Sequence, residues 1–174
     1  MFLDYLEGSF ARYLFMNSPP GGDGSLHVRV QLWQRLAMYD EESRWVLYAG
    51  TANDQQPMFV VRKAEIEYTR KYGGVAEDED RPLRLRLRQA RLDTKTLAPF
   101  LDQLAVMPIP TMSVKERLGS GGLMCGIEFG ERTSPHQLEW HLCDHDVQEL
   151  DQWWQSFRDY LDESLKTNGR DMPL

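Results

Sequence analysis

The side-chain types best suited to chemistry at neutral pH lie in the last third of the chain: His136, His141, Cys143 and His145, with Cys125 upstream. His141-Leu142-Cys143 would project an imidazole and a thiol to one side of a strand, a spacing that a metal ion can use. A closed zinc site needs four ligands, usually in two tight clusters, and the rest of this set does not converge. His136 and Cys125 fall on the apolar face of alternating strands, and His145 falls at the start of a helix. No metal and no cofactor are therefore expected. The alternative is a small hydrolase or metal-dependent enzyme using the His141/Cys143/His145 cluster, with Cys143 as nucleophile and a histidine as base. Proximity in sequence does not supply that geometry. Cys125, between Met124 and Gly126 on an apolar strand, reads as a small core residue.

Two further patterns invite a chemical reading. Glu128 and Glu139, with Gln137, share the outer face of one hairpin, where paired carboxylates could act as acid and base; a plain polar sheet face has the same composition. The groups Gly21-Gly22-Asp23-Gly24 and Gly119-Ser120-Gly121-Gly122 lack the Lys-Ser/Thr that completes a phosphate loop, and they read as turns.

The arginines Arg84, Arg86 and Arg88, flanked by Arg81 and Arg91, form a stripe that could face an anion. A hairpin across residues 71–80 sets Glu67 opposite Arg84 and Glu65 opposite Arg86, so the stripe is expected to be a charge-paired, solvated face. The net charge of −7 argues against nucleic acid and anionic membranes as partners, and suits a basic protein partner. The candidate contact groups are Asp40, Glu41 and Glu42, and the run Glu77, Asp78, Glu79 and Asp80.

The elements that must position these groups follow from periodicity. Leu3, Leu6, Phe10, Tyr13 and Leu14 mark an amphipathic helix over 2–16, and Asn17 to Ser25 is a breaker loop. Strands are expected over 26–32, 44–50, 58–69 and 82–92, with Asp40 to Ser43 forming the first turn. Leu83, Leu85 and Leu87 should point inward and the arginines outward. Asp93 or Thr94 caps a helix running to Val106. A hairpin follows, Leu123–Phe129 against His136–Leu142, with its turn at 130–135 and Cys125 opposite Trp140. A final helix begins with the capping box Asp146/Glu149 and stops at Asn168-Gly169. Of Trp153 and Trp154, one should sit on its buried seam and the other nearer the edge; core packing accounts for both, the alternative being one half-exposed at a partner surface.

The sum is one α+β domain over 1–174: a mostly antiparallel sheet of about five to seven strands, with two or three helices packed on one face. Two cysteines do not make a disulfide scaffold, and the acidic N-terminus does not resemble a signal peptide. No apolar run reaches the ~18 residues of a membrane span. A cytoplasmic location is expected.

The order from Asp93 to Leu165 is a capped helix, the Pro108-Ile109-Pro110 break, a Gly-led hairpin carrying Glu139-Trp140, and an amphipathic helix. It resembles the C-terminal half of small bacterial α+β proteins of unknown function, some of them immunity-type toxin inhibitors. The resemblance implies a bacterial, non-enzymatic protein-binding module, an immunity-type inhibitor or small chaperone, and assigns no functional residue.

Overall fold

A computed structural model describes residues 27–36, 41–51, 57–68, 83–108, 123–131, 134–141 and 147–172. The helix expected over 2–16 lies outside them, as do Cys143 and His145. Strands β1 (His27–Leu36), β2 (Glu41–Thr51), β3 (Pro57–Tyr68) and β4 (Leu83–Leu92) form a meander. Helix α1 (Thr94–Val106) leads to the hairpin β5 (Leu123–Glu131) and β6 (Ser134–His141), then to helix α2 (Gln148–Asn168) and the two-residue strand β7 (Arg170–Asp171). Every described pairing is antiparallel, in the order β6-β5-β1-β2-β3-β4-β7.

Both described helices lie on one face. Leu150, Trp153, Trp154, Phe157, Leu161 and Leu165 of α2, with Leu97 and Leu104 of α1, share one core with Leu32, Leu47, Val61, Ile127 and Trp140 of the sheet. A buried indole keeps its N–H only if an acceptor meets it. Trp45 donates to Asp162 Oδ1 at 2.7 Å, Trp140 to Asp151 Oδ1 at 3.0 Å, Trp153 to the Phe100 carbonyl at 3.0 Å and Trp154 to the Gly126 carbonyl at 3.0 Å. Four tryptophans thus pin helix to sheet and helix to helix. Among the described residues, no helix is long and apolar enough to cross a membrane.

The expected α+β class and antiparallel sheet are observed, and Cys125 pairs with Trp140 as read. Several details differ. β2 starts at Glu41, so Glu41 to Ser43 are strand residues, with Glu42 in register with Arg35; opposite charges across the ladder extend the pairing. The N-cap of α2 is Val147, which makes no side-chain cap bond, and not Asp146, which lies outside the described residues. Val147 is itself a core residue, so burial sets the helix start instead. Trp153 and Trp154 are both buried, as core packing requires: the sheet takes one and α1 the other. The hairpin strands extend to 131 and from 134, and β7 was not anticipated.

Candidate functional site

The sheet face turned away from both helices carries its own set of buried side chains. Gln31, Trp33, Val46, Tyr48, Val60, Arg62, Ala64, Leu87 and Gln89 are each less than a tenth exposed. Register places Glu128, Gln31, Val46, Arg62 and Gln89 in one row across five strands. Arg62 Nε donates to Gln89 Oε1 at 2.9 Å, and its guanidinium carbon lies 5.4 Å from the Tyr48 ring centroid. Burial pushes the Tyr48 phenol above its ordinary range, and the Arg62 charge partly offsets this. Among the described residues, buried Gln31 Oε1 has no hydrogen-bond partner.

The β5–β6 wing of this face is more open. Glu139 and Gln137 are exposed, Glu128 is half-buried and opposite Gln137, and His141 is opposite Met124. The two carboxylates expected to share a face do so, diagonally across the hairpin. Trp33 lies against Gly126 so closely that any Cβ there would strike the indole, which is why this position takes glycine. His136 occupies the other face and packs on Phe129 with ring centroids 5.5 Å apart. The described residues therefore separate His136 from His141. Among them, no three His, Cys, Asp or Glu side chains form a group that could hold a metal ion.

Of the acidic candidates, Glu42 is bound into the sheet. Its carboxylate pairs with Arg44 and lies 4.0 Å from Arg35, and its side chain is only 10% exposed. Glu41 lies in β2 opposite Leu36. Asp40, Glu77, Asp78, Glu79 and Asp80 lie outside the described residues.

The arginine stripe has the expected register, Glu65 opposite Arg86 and Glu67 opposite Arg84. Its ion pairs differ. Glu65 takes Lys63 at 2.7 Å, whereas Arg86 and Arg88 each lie 3.7 Å from Asp171 of β7. Arg88 is not outward but half-buried, and it donates to the Leu165 carbonyl at 2.6 Å. Lys63 also contacts Asp162 at 3.0 Å and lies 4.8 Å from the Trp45 ring centroid. Leu87 is buried as read, but on the face away from the helices. Asp151 and Asp162, the acceptors for two core indoles, were missed. Their spacing of eleven, three helical turns along one stripe beside the apolar seam, is the signal that could have found them. Compared with protein-family models, curated proteins and solved structures, the chain matches none.

Proposed function

We propose that this chain is a non-enzymatic protein-binding module, an immunity-type inhibitor or small chaperone of a bacterial cytoplasm, presenting acidic surface to a basic partner. One observation carries the reading: several of the described cations contact the molecule's own carboxylates, while the chain as a whole keeps a net charge of −7. Arg44, Lys63, Arg86, Arg88 and Arg158 all contact its own carboxylates. Cations held in this way screen the protein's own acids locally and add little attraction for phosphate, whereas the surplus negative field reaches outward and steers a basic partner.

The contact groups are the 77–80 acidic run with Asp40 and Glu41, whereas Glu42 is held in the sheet by Arg44 and Arg35. Charge must do most of the recognition, because all five tryptophans are buried. The test is capture of a partner from lysate of the native organism, followed by association kinetics at two ionic strengths. Changing Glu77 and Glu79 to Gln and Asp78 and Asp80 to Asn should slow association several-fold and leave the melting temperature almost unchanged. If no stable partner is recovered, the binding-module reading fails. A partner whose association ignores both salt and the four substitutions removes the electrostatic mechanism.

A further inference from the structure

Given the binding-module reading, on which this step rests, we propose that the outer edge of β6 takes up an extended segment of the basic partner as a further strand of the sheet. The segment carries cations on one side and apolar side chains on the other. A strand at the end of a sheet turns half of its backbone N–H and C=O groups outward, where another strand can pair with them. The two ends of this sheet are unequal. At the β4 end, β7 pairs with Arg88 and Gln89, and Met172 N–H donates to the Leu87 carbonyl. At the other end, among the described residues, no strand pairs beyond β6. The register of β6 with β5 runs unbroken from Met124 opposite His141 to Glu131 opposite Ser134, so no bulge twists the edge away. Pro135 blunts the start of the strand, but His136 to His141 contain no proline, lysine or arginine, residues that commonly guard an edge.

The two faces beside this edge specify the occupant. Gln137, Glu139 and His141 alternate onto the face away from the helices, with Glu128 across the hairpin. Glu42 and Glu65 are held by Arg44 and Lys63, whereas Glu128 and Glu139 contact no described cation. His136, Leu138 and Trp140 alternate onto the helix face, where Leu138 and Phe129 are only partly buried against the core. A segment reading cation, apolar, cation, apolar would set its cations beside Glu139 and its apolar residues beside Leu138. The edge from His136 to His141, at about 3.4 Å per residue, takes a segment of about 20 Å. A second copy fits less well. Antiparallel pairing of two β6 edges, with the helices on one side, would bring Glu128 and Glu139 of both copies onto one face. In strand addition the backbone bonds supply affinity and the alternate side chains select the partner.

The probe is the synthetic peptide Lys-Val-Lys-Val-Lys-Val-Lys-amide, with a dye on its N-terminus, titrated against the full chain. Fluorescence anisotropy reads binding, and amide hydrogen exchange reads its place. Binding should be saturable, and exchange should slow at residues 136–141 but not along β4. The same peptide N-methylated at every residue keeps its side-chain charge, loses its backbone donors, and should not bind. Glu139→Gln should weaken binding several-fold, whereas Glu163→Gln, on the exposed side of α2, should leave it near wild type. No binding, equal binding of the N-methylated peptide, protection away from β6, or equal effects of the two substitutions would each overturn the proposal. A partner captured from lysate that leaves exchange at 136–141 unchanged would also overturn it, yet would keep the binding module.

Discussion

At the scale of single residues, Trp140 shows how far the sequence can be read and where reading stops. Its pairing with Cys125 follows from strand alternation and is observed. What alternation cannot show is the acceptor. Trp140 donates to Asp151, a buried carboxylate that also takes Gln155 Nε2 at 2.8 Å, and its ring meets Trp154 edge-on at 6.3 Å. A carboxylate inside an apolar seam looks like a breach of helix patterning, yet two donors stabilise it there. Trp140→Ala should cost about 3–5 kcal/mol, because a cavity opens between hairpin and helix. Trp140→Phe should keep most of the packing and lose about 1–3 kcal/mol by stripping a donor from buried Asp151. Urea melts measure both. A loss below about 1 kcal/mol for the alanine variant would contradict the burial of the ring.

At the scale of elements, helices and strands were legible from period and capping signals, and the ends were not. The Asp93 cap was legible because an acid stands three residues before a donor. Its carboxylate accepts from Thr96 N at 2.9 Å and Thr96 Oγ1 at 2.7 Å, which holds it below the usual carboxyl range. The C-terminus of α2 depends on groups distant in sequence. Gly169 N–H and Arg88 Nη2 both donate to the Leu165 carbonyl, at 3.1 and 2.6 Å. Gly169 has an ordinary extended backbone; glycine is needed because a Cβ would strike that carbonyl. The chain then adds β7 to the β4 edge, with Met172 N–H donating to the Leu87 carbonyl at 3.0 Å. Alternation placed Arg88 with Arg84 and Arg86 but could not show that a helix end lies above it. Arg88→Ala should cost about 1–2 kcal/mol, the range for a partly buried cation at a helix C-terminus. It should also speed hydrogen exchange at Gly169 and Met172. Arg86, 62% exposed on its side chain, should cost far less when truncated. Equal losses for the two would mean that the stripe acts only through bulk charge.

At the scale of the whole molecule, the sheet is buried on both faces along its central strands, a feature usual for parallel sheets and less so for an antiparallel one. The sequence concealed this, because polar Gln31, Arg62 and Gln89 interrupt the second apolar face and make each strand look half-solvated. Tyr48 reports on that face. Its phenol is raised from 10.0 by burial first, with the Arg62 charge and hydrogen bond acting in the opposite sense. A group whose folded value is raised keeps its full stabilising contribution below the unfolded value, and loses it as pH rises through the folded one. The wild type should therefore lose stability progressively above pH 10.0, the ordinary phenol value. Tyr48→Phe should flatten that alkaline decline while keeping the ring that Arg62 packs on. Tyr160 is also raised by burial, yet it lies at a half-open helix surface, so Tyr160→Phe should flatten the decline less. Melting temperatures from pH 8 upward measure the difference. An unchanged alkaline slope in Tyr48→Phe would mean that the phenol ionises as easily folded as unfolded, and that water reaches the face; a slope flattened more by Tyr48→Phe than by Tyr160→Phe is the outcome that the deeper burial of Tyr48 requires.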